Sequence, residues 1–146
     1  MQHSTSKACL LSAAMLCASS VALAQSVADF GAREYQANCA SCHGPAGEGG
    51  GPYASVFMKT PPSDLTTLAA RHGGAFPIQH VYETIDGRGP EIQAHGPRHM
   101  PIWGADYLAT GSEHVLYYPE LSYYPELYTR NRILSLIDYL YRIQKG

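Results

Sequence analysis

Cys39-Ala40-Ser41-Cys42-His43 carries the residue types and spacing best suited to chemistry in this chain. Two cysteines three positions apart, followed at once by a histidine, form the attachment signature of a c-type haem. The thiols add across the two vinyl groups of the porphyrin and leave thioether bonds. Helical spacing puts both sulfurs on one side of a turn, at the span the vinyls need. His43 then supplies an imidazole, one of the few ligands that hold haem iron well.

Rival chemistries use the same residues. A Cys-x-x-Cys pair is half a zinc site, but structural zinc takes four ligands, and only Cys39 and Cys42 lie outside the leader. A redox-active dithiol usually accompanies a βαβ pattern, which is absent from this sequence. The haem reading also gains from an export signal. Lys7 gives a positive start, Ala8 to Ala18 an apolar run, and Ala22-Leu23-Ala24 an Ala-x-Ala site. Residues 1–24 therefore read as a cleaved secretory signal. The apolar run is short for a span of about 30 Å, which disfavours a membrane anchor. Leu16 is too bulky for a lipoprotein site at Cys17. Haem is joined to cysteines outside the bacterial cytoplasm, so the mature chain, 25–146, is placed in the periplasm of a Gram-negative bacterium.

The length of 146 residues suggests one domain, and a net charge of −2 gives no footprint for nucleic acid. Helices are expected at several places. Ser26-Val27-Ala28-Asp29 looks like a capping box, with a helix to about Cys39 that carries Phe30, Gly31 and Tyr35 on one face. A glycine inside that helix costs about 1 kcal/mol against alanine, so Gly31 suggests another helix crossing closely. Gly44 to Pro52 is a loop. Tyr53 to Met58 is a short apolar helical segment. Ser63 or Asp64 can cap a helix that ends at Gly73-Gly74. Pro77 opens another, with the stripe Ile78, Val81, Tyr82, Ile85 and a stop at Asp86-Gly87. Arg88 to Met100 reads as a loop. Thr129 can cap a last helix whose apolar face is Ile133, Leu136, Ile137, Leu140 and Ile143.

Six-coordinate haem iron needs a partner for His43. Met58 sits in an apolar segment, where a gap-filling role is common. Met100 lies in a loop before a proline, able to reach the far face of the ring, and a thioether raises the potential. Met100 is the expected ligand. His95 and His99 lie beside it and remain alternatives. His72, His80 and His114 read as exposed helix-end or loop residues.

Together these residues resemble the class I, mono-haem cytochrome c family from about Val27 to Gln144. Gly31 and Tyr35 stand where that family keeps a small residue and an aromatic, and Leu136 and Tyr139 stand where its last helix carries their partners. The resemblance implies that the first and last helices cross near Gly31. It implies that the carbonyl of Pro52, in Gly51-Pro52, accepts the Nδ1–H of His43 and orients it. Met100-Pro101-Ile102-Trp103-Gly104 is similar to the methionine-ligand loop of small bacterial members, which makes Trp103 a candidate contact for a haem propionate.

One stretch departs from the family. Tyr117-Tyr118-Pro119-Glu120-Leu121 repeats as Tyr123-Tyr124-Pro125-Glu126-Leu127, an insertion at about 110–129. The prolines argue against a long helix, so an ordered surface excursion of turns and short helical pieces is expected. Its tyrosines either cover the core and haem edge or form a docking patch.

The expected fold is all-α, with four or five short helices wrapped around one covalent haem c. The expected function is periplasmic one-electron transfer between redox protein partners, without enzymatic turnover and with no transmembrane segment after cleavage. Two alternatives stand beside it. One is a haem enzyme or gas-binding protein with a displaceable sixth ligand. The other is a subunit of a larger oxidase or dehydrogenase complex.

Overall fold

The computed structural model describes residues 30–89, 100–117 and 124–146. The leader, the cap at Ser26, the loop carrying His95 and His99, and the centre of the tyrosine repeat lie outside the described residues, as does the side chain of His114. Helices make up the architecture, and no strand occurs among the described residues. In chain order they are α1 (30–38), α2 (Ala40–His43), α3 (Pro52–Phe57), a 3-10 turn (Leu65–Thr67), α4 (Leu68–Arg71), α5 (Ile78–Asp86), α6 (Trp103–Tyr117) and α7 (Tyr124–Arg142). The all-α expectation holds.

The local signals explain several boundaries. Asp64 caps the 3-10 turn by accepting from the Thr66 N–H at 2.8 Å, which satisfies an otherwise orphaned donor. α5 follows Pro77 and stops at Gly87, as its stripe predicts. Val81 and Ile85 of that stripe are buried, while Ile78 is exposed. On α7, Ile133, Leu136, Ile137 and Leu140 are buried at i, i+3, i+4 and i+7.

These faces converge on one core. Tyr35 from α1, Leu68 from α4, Val81 and Ile85 from α5, Tyr107 from α6 and the α7 stripe pack together. Tyr35 is fully buried, donates its hydroxyl to the Gly44 carbonyl at 2.6 Å and meets the Tyr139 ring at a centroid distance of 4.9 Å. Burial and the bond satisfy both ends of the side chain.

Gly31 sits where α1 crosses α7. A Cβ added there would fall inside the Ser135 carbonyl and 3.3 Å from the Tyr139 Cβ. The crossing inferred from a mid-helix glycine is thus present. Gly31→Leu forces the two helices apart, and a loss of about 1–3 kcal/mol is expected from such overpacking. Thermal unfolding of the holoprotein measures it, and an unchanged midpoint would show that the helices tolerate separation at this point.

α6 is a correction to the sequence reading, which assigns no helix there and expects turns and short helical pieces through the tyrosine repeat. Gly104 and Gly111 depress its intrinsic helicity. Packing overrides that. Gly111 lies against the backbone of Pro125 and the Tyr128 Cβ, where a side chain would collide, so glycine permits α6 and α7 to pack closely. The prolines do not prevent either helix. α6 ends before Pro119, and Pro125 occupies the first turn of α7, where its missing N–H costs no hydrogen bond. Thr129 is correspondingly no cap. It is fully buried inside α7, with Oγ1 donating to the Pro125 carbonyl at 2.8 Å. The described parts of the insertion are therefore helical body, not a surface excursion.

Candidate functional site

The site is built on a nearly continuous helix. Cys39 interrupts α1 and α2 by a single residue, yet its N–H still bonds the Tyr35 carbonyl at 2.9 Å, and the His43 N–H bonds the Cys39 carbonyl at 2.9 Å. Cys39, Cys42 and His43 are each half-buried on this turn. The following loop folds back onto it. Gly49 N–H donates to the His43 carbonyl at 2.8 Å and Gly51 N–H to the Cys42 carbonyl at 3.1 Å.

An apolar cavity of about 550 Å³ opens beside this turn. Cys39, Cys42 and His43 line it together with Met100, Pro101 and Trp103 from the start of α6, and Tyr53, Met58 and Pro62 complete the wall. A second cavity of about 170 Å³ shares Cys39, His43 and Met100 and is lined further in by the core residues Tyr35, Leu68, Val81, Ile85, Leu136 and Leu140. Met100 lies 57 residues after His43, yet the fold brings the two to the same space. Met58 lines the outer cavity alone, whereas Met100 lines both and packs on the core.

The remaining sequence candidates divide. Trp103 is half-buried in the wall, with its ring stacked on Tyr107 at 6.0 Å. Pro52 is exposed at the first position of α3. No hydrogen bond joins its carbonyl to His43 in this structure; Nδ1 of His43 is buried without a partner. His80 is exposed, as its position predicts, but it also lines the inner cavity, and its ring lies 6.1 Å from that of His72. Its place beside the site has no local sequence signal.

Residues 26–113 match the family model described as cytochrome c oxidase, cbb3-type, subunit III. The chain belongs to this family. Comparisons with curated proteins and with solved structures return no match. As a member of a c-type cytochrome family, the protein is a haem-c electron-transfer protein that carries its iron in a covalently bound cofactor.

The residues present in this cbb3-type family member fit that group. The walls are apolar, as a porphyrin requires. Burial lowers the pKa of His43, and the Ser63 backbone opposes the shift only in part. A neutral imidazole with a free lone pair is the form that binds a metal. Burial, then the charge of Glu34 and the neighbouring Cys42, pushes the Cys39 thiol up to about 12. A catalytic dithiol has the opposite property, a depressed pKa that exposes a thiolate. Among the described residues, no three of His, Cys, Asp and Glu converge to hold a metal ion.

One feature beside the cavity escapes sequence reading altogether. Glu34 on α1 is 5% exposed, and it accepts from Asn38 on its own helix, from Tyr107 on α6 and from Arg132 on α7. The Glu34–Asn38 spacing of four hints at a local pair. Nothing local points to partners 73 and 98 residues away.

Proposed function

We propose that the mature chain, 25–146 after removal of a 1–24 leader, is an exported one-electron carrier of the periplasm, with no catalytic turnover of its own. In this reading Cys39 and Cys42 hold haem c by two thioethers, His43 is the proximal iron ligand and Met100 the distal one. The observation that carries it is the convergence of Cys39, Cys42, His43 and Met100 on one apolar space. When bound, the haem supplies one-electron chemistry as its iron changes between ferric and ferrous.

The chain's own residues do the rest. Burial keeps His43 unprotonated and ready to ligate. Met100, packed against the core, presents a soft neutral sulfur, a ligand that favours the ferrous state and raises the potential. Leu68, Val81, Ile85 and Leu136 exclude water from the inner end. At the outer end Tyr53 lines the cavity while remaining half exposed, and its ring packs on exposed Phe57 at 4.8 Å. That apolar rim is where a redox protein would approach the cofactor edge. Trp103, in the same wall, is the candidate neighbour of a propionate.

Covalent attachment is tested by acid–acetone extraction of the purified protein. The haem should stay with the chain. Colour in the organic layer would remove Cys39 and Cys42 from their assigned role.

The family match favours a second reading, in which the chain works as a subunit of an oxidase complex. No described helix is long and apolar enough to cross a membrane. The two readings separate in cell fractionation. A free carrier is released with the periplasmic contents at its monomer size. A subunit co-sediments with membranes and elutes with oxidase activity after solubilisation.

A further inference from the structure

Glu34 is the buried charged side chain among the described residues. It sits on α1, five positions before Cys39. Its two oxygens face different surroundings. Oε1 accepts from Asn38 Nδ2 at 2.7 Å and from the Tyr107 hydroxyl at 2.7 Å. Both donors belong to the cavity side: Asn38 lines the outer cavity, and Tyr107 stacks on Trp103, which lines it too. Oε2 accepts from Arg132 Nη1. The guanidinium of Arg132 lies among rings, 5.2 Å from the centroid of Phe30, 5.7 Å from Tyr107 and 4.8 Å from Tyr128, with its Nε buried and unpartnered. The pair is therefore polarised. Its negative member is bound by Asn38 of the cavity wall, and its positive member is set among aromatics of α1, α6 and α7.

Holding three helices together does not require this charge. A buried ion pair is often no more stabilising than apolar side chains of the same volume, because desolvation offsets the attraction. What a buried carboxylate adds is a fixed field in a region of low dielectric, where Coulomb interactions are stronger than in water. A redox centre is sensitive to such a field because its charge changes by one unit in each cycle. A nearby negative charge favours the oxidised, more positive state.

We propose that Glu34 sets the reduction potential of the centre, its carboxylate lowering that potential from α1, with Arg132 and Tyr107 as the positioning residues that hold it there. The inference rests on the haem reading above and names a determinant that reading does not contain. Three donors hold the carboxylate in one place, so it acts as a constant bias on the centre.

The test is a spectroelectrochemical titration of the intact holoprotein and of Glu34→Gln, Glu34→Asp and the double variant Glu34→Gln/Arg132→Gln. Glu34→Gln should shift the midpoint to higher potential, and Glu34→Asp, which keeps the charge, should stay near the unsubstituted protein. The double variant should also shift upward, by less, because it is the negative member that the cavity-lining Asn38 binds. A Glu34→Gln protein that melts lower but keeps its midpoint would overturn the proposal and leave Glu34 a purely structural residue. If Glu34→Gln leaves an unpaired Arg132 and fails to fold, the double variant decides: an upward shift supports the proposal, and an unchanged or lower midpoint refutes it. A missing sulfur-to-iron band in the unsubstituted protein would count against Met100 alone, since the comparison of midpoints still reads Glu34.

Discussion

Alanine at both Cys39 and Cys42 is expected to yield a chain without covalent haem and without a cooperative fold. The two cavities that meet at Cys39, His43 and Met100 lie where a core of this size would otherwise be solid. Around them, nine buried residues form the hydrophobic cluster among the described residues. Domains of this size bury a limited share of their surface and have little stability to spare. Leaving so large an apolar space unfilled forfeits contacts on every wall at once. The cysteine-free protein should therefore show no haem absorbance in the purified chain, weakened helical circular dichroism and a broad, shallow melt. A sharp melt close to that of the holoprotein would mean that α1, α5, α6 and α7 hold one another without the cofactor.

Met100→Ala should remove the weak near-infrared sulfur-to-iron band of the ferric protein and lower its potential substantially. Thioether ligation is one of the levers by which axial ligands cover a span of roughly 0.8 V. Met58→Ala should retain the band, because Met58 reaches only the outer cavity, away from the inner space shared by His43 and Met100. The absorbance difference between the two variants is the measurement. Loss of the band in Met58→Ala with its survival in Met100→Ala would exchange their roles. Absence of the band from the unsubstituted protein would turn attention to His99 or His95.

The attachment turn was legible in the sequence because its chemistry is local. Cys39, Cys42 and His43 lie within five consecutive residues, so one helical turn positions them whatever the remainder of the chain does. Helix signals that act over one or two turns were legible for the same reason, including Asp64 before Thr66, Gly87 after α5 and the apolar stripe of α7. Gly31 was informative because an unfavourable residue persists in a helix only when something outside the helix requires it, here the Ser135 carbonyl.

The tyrosine insertion misled for the complementary reason. Propensity weighs proline and glycine as breakers, but their cost depends on position. Pro125 in the first turn of α7 gives up no hydrogen bond, and Gly111 is the residue that lets α6 lie against it. Sequence alone determined the cofactor class, the helical character and the residues available to ligate. Tertiary structure put Met100 but not Met58 in the inner cavity beside His43, and it placed Tyr107 and Arg132 on the carboxylate of Glu34. Those choices depend on contacts between residues dozens of positions apart, which no local pattern encodes and which exist only once the apolar faces of α1, α5, α6 and α7 have packed together.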